Sequence, residues 1–349
     1  IHTRLSILDL SKDGNQPMNS SCGRYIIVFN GEIYNHLNLR RMLKSHKYNI
    51  KWKSTSDTET LLECVSAIGI NKTIPYLRGM FAFSLFDKKN KKIYLIRDRY
   101  GEKPLYLLDL KNGKFAFSSD IASFAFVPEF SPNLDLKAAS CFFQRGYIAA
   151  PMSIWKNVKK IMPGSITIIS FSENKEYYIS GMKRYWSAEE IAIKGQTNLF
   201  EGSYENCKFE IEKILFNVLE GQSLSDVPLG VFLSGGIDSS IIAALLQKIS
   251  TKKIKTFSIG FSNKMYDESI YAEEVAKYLN TDHETLIANP NDAIDLIQKM
   301  PYVYSEPFAD SSQIPTTLLS ILVKKHVTVA LSGSTADVKA ALAGTFAAA

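Results

Sequence analysis

The rhythm of apolar positions changes near residue 187, and that change divides the chain before any motif is considered. Up to Trp186, short runs of β-branched and aromatic residues alternate with turns. Arg24 to Phe29 (RYIIVF) predicts a strand ending at Asn30-Gly31, a dipeptide favoured in turns. The stretch HLNLRRMLKS follows, with Leu37, Leu39, Met42 and Leu43 at roughly helical spacing. Ser56-Asp57-Thr58-Glu59 then sets a serine at an N-cap and a glutamate three residues on, the capping-box arrangement, ahead of the apolar LLECV. Met80 to Phe86 and Lys92 to Ile96 flank DKKNKK, and Leu105 to Leu108 and Phe115 to Phe117 flank a turn at Asn112-Gly113. Both pairs predict β-hairpins. Helices beside antiparallel strands predict an α+β layered domain over residues 1–190.

Between about Ser187 and Ser203 the chain is polar and glycine-containing (SAEEIAIKGQTNLFEGS), which predicts a linker. Beyond it strands and helices alternate. A helical run (ENCKFEIEKILFNVL) leads to an apolar strand, Pro228 to Leu233, then a Gly turn and the helix SSIIAALLQKI. A second strand (Lys255 to Gly260), a helix (YAEEVAKYLN), a helical run from Ser311 to Lys325 and a third strand (HVTVALSG) follow. This order predicts an α/β domain over residues 203–349, a parallel sheet with helices on its faces. The abruptly Ala-rich stretch from Ala336 carries no weight in that prediction.

Composition removes several function classes. With 46% hydrophobic and 22% charged residues over 349 positions, the chain is not a disordered one, and its length suits about two domains. No apolar run approaches the roughly 18 residues of a membrane span, so no membrane partner is expected. Cys22, Cys64, Cys141 and Cys207 are scattered without a CxxC pair, which offers neither a zinc site nor a disulfide framework and suits a reducing cytoplasm. The net charge of +6 is spread along the chain, a pattern of solvated surface rather than of a nucleic-acid-binding stripe.

Chemistry concentrates in Leu233-Ser234-Gly235-Gly236-Ile237-Asp238-Ser239-Ser240, set between an apolar strand and an amphipathic helix. Two glycines allow close backbone approach, the serines supply hydroxyls, and a helix N-terminus adds partial positive charge; together these make an anion site. An aspartate has little place in such a cradle unless a cation accompanies the anion, which makes Mg²⁺ the natural companion of Asp238. The phosphate loop of common ATPases, Gly-x-x-x-x-Gly-Lys, is absent, so γ-phosphate transfer is not favoured.

This octapeptide resembles the pyrophosphate loop of the N-type ATP pyrophosphatases, which cleave ATP between its α- and β-phosphates. Upstream, His2-Thr3-Arg4-Leu5-Ser6-Ile7, then Phe29-Asn30-Gly31-Glu32-Ile33-Tyr34-Asn35, then Ser56-Asp57-Thr58-Glu59 occur in the order found in class II glutamine amidotransferases. Leu77-Arg78-Gly79-Met80-Phe81-Ala82-Phe83 and Arg97-Asp98-Arg99-Tyr100-Gly101-Glu102-Lys103-Pro104-Leu105 continue the series. The whole resembles the glutamine-hydrolysing asparagine synthetase family.

That resemblance implies an N-terminal αββα glutaminase of the Ntn type and a Rossmann-like synthetase domain related to the adenine-nucleotide α-hydrolases. It implies glutamine, ATP with Mg²⁺, and aspartate or another carboxylate as partners, and leaves a homodimer open as the assembly. Arg4 would take the glutamine α-carboxylate, with Leu5 and Ile7 in the same segment, and Asp57 and Glu32 would take the α-ammonium. Asn30 and the backbone N–H of Gly31 would stabilise the oxyanion. Leu233, Ser234, Gly235, Gly236, Asp238, Ser239, Ile259, Ser332 and Gly333 would bind ATP, Asp238 and Asp337 the metal, and Glu306 and Asp310 the acceptor.

Two departures accompany the match. The family's nucleophile is an N-terminal cysteine whose own amine serves as base, and no cysteine here corresponds to it. It is expected either upstream of Ile1 or absent. Ser334 and Val338 stand where the family has acidic residues. The acceptor also stays open between aspartate and a sugar carboxylate. A β-lactam-forming enzyme using only the ATP half and a non-catalytic nucleotide-binding relative remain as other readings.

Overall fold

In the computed structural model, which describes residues 2–110, 113–261, 267–288 and 290–333, the strand expected to end at Asn30-Gly31 runs straight through that dipeptide. β1 (Met18–Asn19) pairs antiparallel with β2 (Tyr25–Ile33). β2 in turn pairs with β3 (Gly79–Asp87), with Asn30 opposite Ala82 and Gly31 opposite Phe81. Gly31 has φ +142°, and a Cβ there would come within 2.1 Å of the Met80 carbonyl oxygen. The glycine therefore serves close approach between strands and not a chain reversal.

The chain divides into two compact units: residues through Ser187 with Pro301–Ala309, and Ala188–Met300 with the residues from Asp310 onward. In the first, β4 (Lys92–Arg97), β5 (Tyr106–Leu110), β6 (Lys114–Ser118), β7 (Val158–Lys160), β8 (Ser165–Phe171) and β9 (Tyr177–Arg184) complete two sheets, of order β1-β2-β3-β4-β8-β9 and β6-β5-β7. The two expected hairpins are β3–β4 and β5–β6. The helices are α1 (His36–Ser45), α2 (Asp57–Ile68), the short α3 (Ile70–Thr73) and α4 (Leu136–Arg145).

Three apolar clusters stack these pieces into layers. Leu39 and Leu43 of α1 and Leu61, Leu62 and Val65 of α2 cover Ile27, Phe29, Phe81 and Phe83 on one face of the large sheet. Ala82, Leu95 and Ile169 on its other face meet Leu105 and Leu107 of the small sheet. Tyr106, Leu108 and Leu110 point the opposite way, onto Ile121, Phe124 and Val158. One strand with period-two alternation thus supplies both faces of the small sheet. Asn30, opposite Ala82, lies on the large-sheet face that meets the small one.

The Ser56–Glu59 capping box forms by half. Ser56 Oγ accepts from Glu59 N–H at 3.2 Å. The Glu59 carboxylate does not return to Ser56; it accepts from the N–H groups of Lys53 and Ser54 and the Ser54 hydroxyl, each at 2.9 Å.

The expected linker contains a helix, α5 (Ala188–Thr197), which buries no residue. Glu189 and Glu190 in its first turn oppose the helix dipole favourably, which propensity for loops did not register. The second unit continues with α6 (Tyr204–Gln222), β10 (Leu229–Phe232), α7 (Ile237–Ile249), β11 (Lys255–Phe261), α8 (Ser269–Leu279), β12 (Asp282–Ala288) and α9 (Pro290–Ile297). The short α10 (Met300–Val303) begins at its last residue before the chain re-enters the first unit, and α11 (Gln313–Val323) and β13 (Val329–Leu331) complete the second. Its four strands are all parallel, in the order β12-β11-β10-β13.

α6, α7 and α8 pack on one face around Leu215, Val231, Leu246 and Ala276. α11 and α9 pack on the other, around Phe257, Val323, Leu296 and Leu318. β12 escaped the sequence reading because it is an edge strand with only Ala288 buried. Polar contacts hold it, with His283 within 2.9 Å of the Thr256 hydroxyl and 3.2 Å of Ser258. The chain steps outward from β10 to β12 and then returns to β13 on the far side of β10. The topological switch point therefore lies beside the C-terminal end of β10, where open α/β sheets bind ligands.

Candidate functional sites

The polar site of the first unit is assembled against the second half of β2 from the N-terminal stretch and the segment leading into α2. Asp57, at the start of α2, accepts from the N–H of Ile33 at 2.8 Å and of Thr58 at 2.7 Å, which ties the helix to the residue after Glu32. Asp9 accepts from Ser11 N–H at 2.9 Å and Thr55 N–H at 2.7 Å, binding the N-terminal loop to the approach to Asp57. Gln16 accepts from Phe29 N–H at 2.6 Å, and His2 Nε2 lies 3.2 Å from the Phe29 carbonyl. Asp9 and Gln16 lie outside every quoted motif, and their pairing across the fold leaves no local spacing to find them by.

Glu32 and Asp57 are both buried. Burial, then the Asp57 charge, pushes the Glu32 carboxyl up to about 7, while Lys103 acts in the opposite sense. Burial likewise raises Asp57, against the hydrogen bonds from Ile33 and Thr58. Two buried carboxylates acting on each other are a site for a cation, since an ammonium relieves both the repulsion and the desolvation. Asn30, by contrast, is exposed, with Gly31 beside it.

Arg4 is turned inward. Its guanidinium donates to the carbonyls of Ser11 (2.9 Å), Leu8 (3.0 Å) and Asp9 (2.5 Å), so in this structure it shapes the loop. Leu5 is exposed and Ile7 half-buried.

None of the four free cysteines stands at Asn30-Gly31. Cys22 lies beyond Tyr25, at the far end of β2, and its thiol contacts the Ser20 and Ser66 hydroxyls at 3.3 and 3.0 Å. The six steps along the strand from Tyr25 to Gly31 already span roughly 20 Å at about 3.3 Å each. Cys64 is buried in the α2 core, where burial pushes its thiol up to about 12.

In the second unit, Leu233 is buried and donates its N–H to the Phe257 carbonyl at 2.8 Å, carrying the sheet pattern to the mouth of the switch point. Gly235 turns the chain, and Gly236 is the N-cap of α7 with no side chain capping the helix. The serines knit the loop: Ser239 and Ser240 hydroxyls donate to the Gly236 carbonyl at 3.1 and 2.7 Å, and Ser234 and Ser239 hydroxyls lie 3.0 Å apart. Asp238 is half-buried in the first turn.

Ser332 and Gly333 follow β13, and a Cβ on Gly333 would come within 2.6 Å of Ser239 Cα. The structure thus brings Ser234 to Ser239 and Ser332-Gly333 together. Ile259 is half-buried on the neighbouring β11. Asp337, Ser334 and Val338 lie outside the described residues. Among the described residues no group of three or more His, Cys, Asp or Glu could hold a metal by itself.

Glu306 belongs to the first unit, where it accepts from Ile154 N–H at 2.8 Å and pairs with the Lys160 ammonium. It lines a cleft of about 430 Å³ with Tyr106, Asp120 and Tyr147. Asp310 belongs to the second unit, where its carboxylate accepts from Ser312 N–H at 2.8 Å ahead of α11. Among the described residues no helix is long and apolar enough to cross a membrane.

Comparison with known proteins bears on both units. The family described as a glutamine amidotransferase domain matches residues 1–186, and the asparagine synthase family matches residues 210–340. A provisionally named glutamine-hydrolyzing asparagine synthetase 2 of Methanocaldococcus jannaschii is 35% identical, over 96% of this chain and 65% of that protein. Glutamine-hydrolyzing asparagine synthetase 1 of Bacillus subtilis is 33% identical, over 96% of this chain and 50% of that protein. The chain thus spans half to about two thirds of the length of these relatives. With an acid pair next to Asn30-Gly31 in one unit and an uncapped helix at a switch point in the other, the chain belongs to the glutamine amidotransferase domain family, and its residues 210–340 match the asparagine synthase family.

Proposed function

We propose that the protein is a glutamine-dependent asparagine synthetase, a ligase that takes ammonia from glutamine and uses ATP to place it on aspartate. The observation that carries this reading is the presence in one chain of a buried Glu32–Asp57 pair and of an anion cradle at the β10–β13 switch point. The first suits the α-ammonium of a free amino acid, the second the phosphates of a nucleotide.

In the Ntn-type glutaminase half, Glu32 and Asp57 hold the α-ammonium. Arg4 takes the α-carboxylate by exchanging some of its backbone carbonyl partners for it. The Asn30 side-chain amide and the Gly31 N–H stabilise the oxyanion formed when the amide is attacked. In the Rossmann-like half, the uncapped N-terminus of α7 and the Ser234–Ser239 loop bind ATP as its pyrophosphate leaves. Leu233 and Ile259 offer backbone groups to the adenine edge, and Ser332 and Gly333 close the other side.

Asp238 is the described residue that would hold Mg²⁺, which neutralises phosphate charge when bound. The lone carboxylate fits a cation that takes its remaining oxygens from phosphates and water. Asp310, in the same unit as the anion cradle, is the candidate on the acceptor side. We place the protein in the cytoplasm on its four scattered free cysteines.

The test is incubation of the full-length protein with glutamine, aspartate and ATP. Glutamate, asparagine, AMP and pyrophosphate are expected together. ATP–pyrophosphate exchange that aspartate does not stimulate would overturn aspartate as acceptor. Failure to bind or hydrolyse glutamine would overturn the glutaminase half.

A further inference from the structure

The loop from Asp98 to Lys103 is held more firmly than a short surface connection requires. Asp98 is fully buried. Its carboxylate accepts from four backbone N–H groups: Phe81 (3.2 Å), Tyr100 (3.1 Å), Glu102 (2.9 Å) and Lys103 (2.9 Å). Its own N–H donates to the Phe81 carbonyl at 2.8 Å, and its carbonyl accepts from Gly164 N–H at 2.7 Å. The neighbouring Arg97 guanidinium donates to the carbonyls of Lys103 (2.8 Å), Gly101 (2.7 Å) and Ile161 (2.8 Å). Two sequence-adjacent charges, one fully and one partly buried, are thus directed at the backbone of six residues. Withdrawing such groups from water costs several kcal/mol per ion before compensation, which a connection of no consequence would not justify.

Position supplies the reason. Asp98 is bonded on both sides to Phe81, whose register partner is Gly31, next to Glu32. The loop ends at Lys103, and the charged groups acting on Glu32 are Asp57 from α2 and Lys103 from this loop. A buried carboxylate beside a second one tends to keep its proton near neutral pH, and in that form it cannot counter an ammonium.

We propose that Asp98 and Arg97 are positioning residues of the glutamine pocket, locking the loop so that the Lys103 ammonium partly offsets Asp57 and eases Glu32 into the charged form that takes the substrate's α-ammonium. The proposal rests on the glutamine reading above and deepens it. It has a signature that a structural role lacks. Without the Lys103 charge, Glu32 takes up its proton at higher pH, so glutamine loses a partner at and below neutrality. Once the pH is high enough to ionise Glu32 regardless, the loss disappears, and the repulsion between Lys103 and the substrate ammonium is gone as well.

The experiment is calorimetric titration of L-glutamine into the protein from pH 6 to 8.5, for the parent, Lys103→Met, Asp98→Asn and Asp57→Asn. Lys103→Met is expected to weaken binding about three- to tenfold at pH 6.5 and to match or exceed the parent at pH 8.5. Asp98→Asn is expected to follow the same course. The bonds described for Lys103 are backbone ones, so Lys103→Met keeps the loop anchored and decides the matter even if Asp98→Asn does not fold. A Lys103→Met profile parallel to the parent's at every pH, with Asp57→Asn still abolishing binding, overturns the proposal and leaves the glutamine site standing. A parent that binds no glutamine at any pH overturns the glutamine reading and this inference with it.

Discussion

Glu32 is only 6% exposed, and its carboxyl is pushed up to about 7 from an ordinary 4.5 by burial and by Asp57. The unfolded chain gives up this proton near pH 4.5 and the folded chain keeps it to about 7, so within that window the native state binds more protons. Stability from this residue therefore falls as pH rises from about 4.5 to 7 and stays low above it. Glu32→Gln removes the ionisation. The variant is expected to match the parent at pH 4.5 and to be more stable by roughly 1–3 kcal/mol at pH 8. Thermal unfolding at the two pH values checks this, and an equal pH dependence in both proteins would mean that Glu32 is not held in its acid form. The residue itself was legible, because it stands within a motif. Its electrical setting was not: Lys103 and Asp57 approach it only through the fold, and no spacing in the sequence announces that three charges share one pocket.

Strands, helices and most boundaries were legible wherever the apolar period was strong, as in α1, α2 and the β3–β4 hairpin. Failures came where backbone contact overrode local preference. Asn30-Gly31 reads as a turn by itself, yet the facing Met80 carbonyl requires a residue without Cβ inside a strand. The edge strand β12 carries polar side chains, among them His283, which bonds to hydroxyls on β11, so its first half shows no apolar run to detect. Close approach also governs the second site, where Gly333 abuts the backbone of Ser239 at the start of α7. Gly333→Ala brings a methyl within 2.6 Å of Ser239 Cα and 2.7 Å of its nitrogen, and neither atom can rotate away. The strand end or the helix must shift, at a cost of roughly 1–3 kcal/mol. The expected outcome is a lowered melting temperature together with weakened ATP binding. A variant that binds ATP as the parent does would place the nucleotide elsewhere than against α7.

At the scale of the whole molecule, each unit carries its own core and its own candidate site, so damage at one site is expected to leave the other readable. Asp238 tests this best. It lies half-buried in the first turn of α7, where a carboxylate contributes roughly 0.3–1 kcal/mol to the helix through the dipole. Asp238→Ala therefore costs little stability and keeps the fold. The cradle, however, loses the described carboxylate that would bridge a divalent cation to the phosphates, and an anion site without its cation cannot hold the charge of a pyrophosphate leaving group as well. Aspartate-dependent ATP–pyrophosphate exchange is expected to vanish in Asp238→Ala, while glutamine binding by calorimetry stays within about twofold of the parent. Asp57→Asn is expected to do the reverse, losing glutamine-dependent turnover and keeping turnover with added ammonia, which bypasses the first site. Undiminished exchange in Asp238→Ala would remove that carboxylate from the nucleotide site. Equal loss of both nitrogen sources in Asp57→Asn would show that Asp57 serves the fold, through its bonds to Ile33 and Thr58, and does not read the substrate.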